Sequence, residues 1–176
     1  MVTATPHNPY LEGLFAPVIE ETTAVELTVV GELPSELMGM YVQNAPNPRY
    51  EPQGLYHWFD GDGMVHAVEL RDGKATYRNR YVRTRAFQEE GQEGRAMSAG
   101  IMMPFDPAQP GSADKDTANT DLIWHGGRLL ALWWLGGQPY ALSVPDLVTQ
   151  EAVDFGGTLT SGIAAHPKVD PLTGEK

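Results

Sequence analysis

The sequence predicts an all-β protein of short strands joined by tight turns. Its 176 residues include 19 glycines and 14 prolines, more than a helical protein of this size usually carries. Runs of β-branched and aromatic residues recur along the chain, separated by turn signals. The clearest hairpin signals are RDGK at 71–74 and HGGR at 125–128. Hairpins at such short spacing are typical of a β-sandwich or of propeller blades, and composition alone does not choose between them.

Each strand is expected where apolar or alternating sequence lies between turn residues. In chain order these runs are AVELTVVG at 24–31, MGMYVQN at 38–44, GLYHWF at 54–59, GMVHAVEL at 63–70, KATYRNRYVRT at 74–84, LIWHGGRLLALWW at 122–134, PYALSV at 139–144 and AVDFGGTL at 152–159. The 122–134 run divides into two strands at its glycine pair. One helix is predicted over 84–94 and a short turn over 34–37. Residues 102–116 are rich in Pro, Gly, Ala and Asp and predict a long surface loop.

Charge and composition exclude several classes of function. The 23 acidic residues against 12 basic ones give a formal net charge of −11, which disfavours binding to nucleic acid. The chain has no cysteine, so any metal must be held by His, Asp, Glu or backbone oxygens. No secretory signal and no long apolar run is visible, and the expectation is a cytoplasmic protein.

The stretch YHWFDGDGMVHAVEL at 56–70 places two histidines around the sequence DGDG. An EF-hand calcium loop would need an acidic residue where Met64 stands, so that interpretation fails. A hairpin is expected instead, with Gly61 and Gly63 in positive-φ positions and the two aspartates capping backbone amides. His57 and His66 then belong to strands with structural roles, although a two-histidine metal site remains the alternative.

His166 differs from the other four histidines in its setting. It follows the small, apolar GIAA and precedes a proline that stops the strand, so the side chain is expected at a strand end. Strand ends are where β-scaffolds often present ligands. Spacing alone leaves both a metal-binding and a structural role open for this residue.

Five stretches in order along the chain resemble the N-terminal part of the carotenoid cleavage oxygenase family. They are GELPSELMGMYVQNAPNP, HWFDGDGMVHAVEL, YRNRYVRT, DTANTDLIWHGGRLLALW and AAHPKVDPLTGE. The resemblance implies a seven-bladed β-propeller that is incomplete in this chain, with residues 1–22 as an N-terminal tail and 23–176 as a partial propeller domain containing a loop at 95–116. It also implies Fe(II) held by four histidines, of which His166 matches the first and no other histidine here matches one.

The activity implied by the resemblance is cleavage of a carbon–carbon double bond by O2, giving two carbonyl products. Relatives that act on phenolic stilbenes carry a lysine at the position of Trp133 and a tyrosine near Ile101. Both positions are apolar here, which favours an apolar polyene such as a carotenoid or apocarotenoid. Ile101, Trp133 and Trp134 are therefore the candidate substrate-binding residues. Trp134 stands close to where the family usually has an outer-shell glutamate, and no carboxylate is present there.

The resemblance leaves alternatives open. Seven blades need roughly 300 residues, so this chain is expected to be an N-terminal portion that is inactive alone. A relative that cleaves phenylpropanoids or stilbenes is one alternative, and a non-catalytic propeller remnant that binds a ligand or partner is another. The resemblance also allows the full-length enzyme to make peripheral contact with a membrane. Trp124 and one residue of the 133–134 pair are expected in the blade core, with tunnel lining as the alternative for this aromatic cluster.

Overall fold

The chain folds into two antiparallel four-stranded sheets in a computed structural model that describes residues 7–104 and 115–175. The first sheet, here called blade 1, has the spatial order β1-β4-β3-β2, with β1 at Thr23–Ala24, β2 at Gly39–Pro46, β3 at Gly63–Arg71 and β4 at Lys74–Tyr81. The second, blade 2, follows chain order, with β5 at Asp121–His125, β6 at Arg128–Leu132, β7 at Tyr140–Leu142 and β8 at Thr149–Ala152. Two such units side by side confirm the prediction of propeller blades.

The hairpins predicted at RDGK and HGGR are confirmed, whereas the one expected around DGDG does not form, because a 3-10 helix and not a strand precedes β3. In the first, Arg71 pairs with Lys74, and Asp72 and Gly73 between them both have positive φ, as a tight two-residue turn requires. In the second, His125 pairs with Arg128 around Gly126 and Gly127, which also have positive φ. The turn sequences therefore determine the register of β3–β4 and β5–β6.

Two of the predicted strands are wrong over most of their length. The strand expected at 24–31 ends at Ala24, because Glu26 takes a left-handed conformation with φ 56° that interrupts the extended backbone. The strand expected at 54–59 does not form, and Trp58–Asp60 is a 3-10 helix instead. That turn is held by side chains: His57 Nδ1 accepts from the Phe59 N–H, and Asp60 Oδ2 accepts from the His57 N–H.

The last predicted strand is displaced along the chain. β8 covers 149–152 and ends where the strand was expected to begin. Beyond it, Phe155, Gly156 and Gly157 all have positive φ, which is turn geometry.

The predicted helix is confirmed as α1, Arg85–Glu93. Thr84 Oγ1 accepts from the Phe87 N–H at the N-terminus, and Gly94 ends the helix with φ 69°. Phe87 packs with Met64 and Tyr81, which fixes the helix to blade 1. The predicted turn over 34–37 is also present, with a hydrogen bond from the Leu37 N–H to the Pro34 carbonyl. Of the predicted loop at 102–116, residues 105–114 lie outside the described part of the chain.

The main hydrophobic core lies between the two blades. Alternate residues of β6 face opposite ways, so Leu129 and Ala131 point toward blade 1 while Leu130 and Leu132 point to the other face of blade 2. The cluster between the blades, here called the inter-blade core, consists of Val65, Ala67, Val82, Ala118, Leu129, Ala131, Tyr140, Leu142 and Leu147. This packing fixes the position of blade 2 relative to blade 1.

The glycines of the DGDG sequence do not have the role expected of them. Gly61 has φ −66°, and Gly63 is the first residue of β3 rather than part of a positive-φ turn. Both are glycines because backbone passes close by. A Cβ on Gly61 would lie 2.8 Å from the Asn47 nitrogen, and one on Gly63 would lie 2.6 Å from the Ala118 oxygen. The predicted capping by aspartates is confirmed, since Asp62 Oδ2 accepts from the Arg49 N–H.

The segment before β1 lies against blade 1. The Asn8 side chain donates to the Tyr56 carbonyl, Asn47 bonds both backbone groups of Val18, and Asn79 accepts from the Thr22 N–H. Within the described ranges, no helix is long and apolar enough to cross a lipid bilayer.

Candidate active site

His166 lies on a short extended segment that packs beside the end of β6. Ile163 forms an antiparallel bridge with Gly137, and Ala164 forms a parallel bridge with Trp133. The Ala165 N–H then donates to the Trp133 carbonyl at 3.0 Å. His166 comes immediately after these bridging residues, so the histidine ends an extended segment, as its proline neighbour predicts.

The backbone and ring of His166 both face one carboxylate. The His166 N–H donates to Asp121 Oδ2 at 2.9 Å, and His166 Nδ1 lies 3.5 Å from the same oxygen. His166 has φ 62°, a left-handed conformation that is unusual outside glycine, and its side chain is 68% exposed. With Nδ1 directed at Asp121, Nε2 is the ring nitrogen available to a metal.

The two tryptophans that follow β6 lie close to this histidine segment. Trp133 is only 6% exposed, and Trp134 beside it is half-buried, with 6.3 Å between their ring centroids. Trp134 also packs on Phe59 at 5.4 Å. Within the described residues neither indole N–H has a hydrogen-bond partner, although both are buried. The pair therefore places an aromatic cluster beside the segment that carries His166, since Ala164 pairs with Trp133.

One sequence expectation about this aromatic cluster is wrong. Trp124 on β5 is 60% exposed, so it does not lie in the blade core. The strand begins at Asp121, and its register places Trp124 opposite Leu129 near the solvent-facing HGGR turn. Of the three tryptophans, only Trp133 is buried as a core residue.

Ile101 and Trp134 both contact the 3-10 turn Trp58–Asp60. The Ile101 N–H donates to Asp60 Oδ1 at 2.9 Å, while its side chain is exposed. Phe59, the neighbour of Asp60, is the residue that Trp134 contacts. The structure thus brings Ile101 and Trp134 to one turn, and joins Trp133 to the His166 segment.

Asn119 and Thr120 connect these pieces, and neither was singled out in the sequence. The Asn119 amide donates to the carbonyls of Phe59 and Gly61, at 3.0 and 2.7 Å. Thr120 Oγ1 accepts a hydrogen bond from the backbone N–H of Trp134 at 3.0 Å and donates one to Asn119 Oδ1. Both residues lie in DTANTDLIW, which is part of one of the five stretches that resemble the oxygenase family. That resemblance is the feature of the sequence that could have identified them. Asp121, the partner of His166, lies in the same stretch.

A buried ion cluster lies next to the Trp58–Asp60 turn and involves Asp62, Glu90 and Lys115. Lys115 Nζ is 2.7 Å from Asp62 Oδ1 and 2.6 Å from Glu90 Oε2, and all three side chains are buried. Burial raises the pKa of Asp62, an effect that Lys115 opposes. Burial also lowers the pKa of Lys115, but the two carboxylates together raise it above its ordinary value. The cluster ties α1 to the start of β3.

The two histidines near DGDG have structural contacts. His57 caps the 3-10 turn, and His66 Nδ1 lies 2.8 Å from the Tyr77 hydroxyl. Burial lowers the pKa of His66, which favours its neutral form.

Comparison with known proteins identifies the fold and the family. Residues 15–176 match the family model described as retinal pigment epithelial membrane protein. A carotenoid cleavage oxygenase of Mycobacterium tuberculosis is 45% identical over 174 residues, which is 98% of this chain and 33% of that protein. The chain belongs to the carotenoid cleavage oxygenase family. Carotenoid 9,10(9',10')-cleavage dioxygenase 1 of Arabidopsis thaliana is 41% identical, over 94% of this chain and 34% of its own length.

Solved structures of this oxygenase family share the arrangement of the two blades. The lignostilbene dioxygenase of Pseudomonas brassicacearum superposes with a TM-score of 0.85 at 36% identity, covering 96% of this chain and 36% of that one. A variant of the Synechocystis apocarotenoid oxygenase gives 0.72 at 33% identity, covering 88% and 34%. The chain therefore spans about a third of the length of the oxygenases it matches.

Proposed function

We propose that this chain is the part of a non-haem Fe(II)-dependent oxygenase that carries the first iron ligand. The full-length enzyme would use O2 to cleave a double bond of an apolar polyene, such as a carotenoid or apocarotenoid, into two carbonyl products. The observation that carries the proposal is the placement of His166, with Nδ1 at a carboxylate and Nε2 free, beside a pair of tryptophans. Relatives named carotenoid cleavage oxygenases and dioxygenases support the reaction class.

The donor set within the chain fits one ligand of such an iron. Within 7–104 and 115–175, no group of three or more His, Asp or Glu side chains could hold a metal ion, so His166 needs partners from the rest of the full-length protein. Neutral imidazoles suit Fe(II) and add no negative charge. When bound, the iron supplies the activation of O2. The role of this chain is to hold one imidazole in place with Nε2 unprotonated.

The substrate side is supplied by apolar surface. Trp134 and Phe59 present partly exposed rings that can restrict a flat polyene, so that one double bond lies beside the metal. Trp133 is buried and supports Trp134. Ile101 adds an exposed apolar side chain at the same turn. Both oxygens of Asp60 there accept backbone N–H groups, from His57 and Ile101, so this carboxylate holds the turn in place.

The proposal is tested by His166→Ala in the full-length protein. Iron content by elemental analysis and carbonyl products by mass spectrometry should both fall to background, because a histidine ligand is removed. His7→Ala is the matched control, since that side chain is exposed and its ion pair is with exposed Glu12. Iron and activity retained in His166→Ala would exclude this residue as a ligand. A wild-type protein without iron would favour the non-catalytic alternative.

A second candidate function is cleavage of a phenolic stilbene. It is favoured by the similarity to the lignostilbene dioxygenase structure and by a relative named resveratrol cleavage oxygenase 1 of Aspergillus fumigatus, 37% identical over 99% of this chain and 35% of its own length. Turnover of a hydroxystilbene and of its methyl ether separates the two. An apocarotenoid substrate predicts no preference for the free phenol, whereas a site that binds phenol predicts a strong one.

A further inference from the structure

We propose that Asp121 is the positioning residue of His166, holding both its backbone conformation and its ring tautomer so that Nε2 is presented to a metal. The inference rests on the proposed function, because it concerns the residue assigned there as a ligand. It goes further in naming a carboxylate of this chain that prepares that ligand before any metal arrives.

Asp121 is itself held firmly. It is the first residue of β5 and pairs with Leu132 of β6. The Asn44 side chain of blade 1 donates to the carbonyls of Ala118 and Asp121, at 2.8 and 3.4 Å. The carboxylate therefore projects from a backbone that both blades fix, and it can serve as a reference point for a more exposed segment.

The contact with the His166 backbone explains an unusual conformation. A non-glycine residue with φ 62° is unfavourable unless its surroundings hold it there. Here the N–H donates to Asp121 Oδ2 at 2.9 Å, a charge-assisted hydrogen bond. On the other side, Ala165 is bonded to the Trp133 carbonyl. His166 is thus fixed by its backbone, although its ring is exposed.

The position of the carboxylate beside Nδ1 favours one of the two ring tautomers. A neutral imidazole in water favours the tautomer with its hydrogen on Nε2. In that tautomer Nε2 has no lone pair to offer a metal. A carboxylate facing Nδ1 favours the opposite tautomer, since Nδ1–H can donate to it. The distance of 3.5 Å is longer than a formed hydrogen bond, and ring rotation can shorten it. When Asp121 holds the proton on Nδ1, Nε2 is left without a proton and can bind a metal.

The test measures the tautomer and the metal affinity separately. The full-length protein is labelled with 15N-histidine, and His166→Gln identifies the signal. In metal-free wild type the ring nitrogen shifts should show Nδ1–H, and Asp121→Ala should shift them to Nε2–H. Iron affinity, measured by competition with a chelator, should fall about 10- to 100-fold in Asp121→Ala. Asp121→Asn keeps an acceptor oxygen and should retain the tautomer with a smaller loss of affinity.

Glu151→Ala is the matched control, because this exposed carboxylate forms its ion pair with Arg128 at the β5–β6 turn, away from His166, and it should change neither readout. An unchanged tautomer together with unchanged iron affinity in Asp121→Ala overturns the inference. If that variant does not fold, Asp121→Asn decides: wild-type iron affinity overturns the inference, and a reduced one supports it. If the wild type binds no iron, the proposed function fails, while the tautomer still reports on the role of Asp121.

Discussion

At the scale of single residues, the buried ion cluster shows how much one side chain stabilises. Lys115 neutralises two carboxylates, Asp62 and Glu90, that have almost no access to water. A buried charge without a partner is strongly unfavourable, so neither carboxylate could be accommodated without the ammonium group.

Lys115→Met should therefore destabilise the protein by about 3–5 kcal/mol, because it leaves two buried carboxylates without a counter-charge. The free energy of unfolding from urea titration measures the effect. Lys74→Met is the matched control: its partner Glu26 is exposed, so removing that pair should change stability little. Equal effects of the two substitutions would contradict this account.

Residue roles were predictable from sequence where a neighbour in the chain supplies the partner. Asp60 caps an amide three residues away, and His57 caps the same turn, so the aspartates of DGDG could be identified as caps. Lys115 and Glu90 meet across 25 residues, and Asp121 and His166 across 45. No local pattern encodes such distances, and these pairs appear only in the folded chain.

At the scale of elements, Asp116 connects α1 with β7. Its carboxyl lies by the Tyr140 hydroxyl of β7 and the Arg85 charge at the start of α1, and it accepts from the Ala118 N–H. Backbone also passes close, since a Cβ on Gly137 would lie 2.9 Å from Asp116 Oδ2. Burial raises the pKa of Asp116 from 3.8 to about 6.

This raised pKa gives stability a defined dependence on pH. The folded state holds the proton more tightly than the unfolded state, so the contribution of Asp116 is fully present below pH 4 and is lost as pH rises through 6. Asp116→Asn stays neutral and should be more stable than wild type by about 1–3 kcal/mol at pH 8, with little difference at pH 4.

Unfolding free energies of the two proteins, measured across this range, check the prediction. Asp146→Asn is the control, because that side chain is exposed and the difference from wild type should not change with pH in the same way. A constant offset for Asp116→Asn at every pH would show that the carboxyl does not titrate between the two states.

Element types were predictable where local chemistry and tertiary packing agree. RDGK, HGGR and the Thr84-to-Gly94 helix contain their own turn or cap residues. The runs at 24–31 and 54–59 have strand-like composition, but a left-handed Glu26 ends one and side-chain capping folds the other into a 3-10 turn. Composition does not show either effect.

At the scale of the whole molecule, the inter-blade core joins the two sheets into one unit. Its residues come from β3 on one side and from β6 and β7 on the other, with Val82, Ala118 and Leu147 added from the connecting segments. Apolar side chains from both sheets are buried in the same cluster, so the stability of each blade depends on the other.

Leu142→Ala should remove buried contacts from this core and destabilise the protein by about 2–5 kcal/mol. Amide hydrogen exchange should become faster in β3 and β4 as well as in β6 and β7, because both blades share the cluster. Leu172→Ala, at an exposed site, is the control. Faster exchange confined to blade 2 would mean that the blades unfold separately.

Mutations can reach the His166 segment from two sides, the outer face of blade 2 and the core between the blades. Ala165 packs against the cluster of Leu130, Leu132, Ala141 and Val153, on the face of blade 2 that points away from the inter-blade core. Substitutions between the blades can still reach the histidine through its carboxylate, because Asn44 of blade 1 holds the backbone of Asp121. Substitutions on the outer face of blade 2 would act on the histidine segment directly, through Ala165. A single substitution in this part of the chain can therefore change both the robustness of the fold and the placement of the histidine.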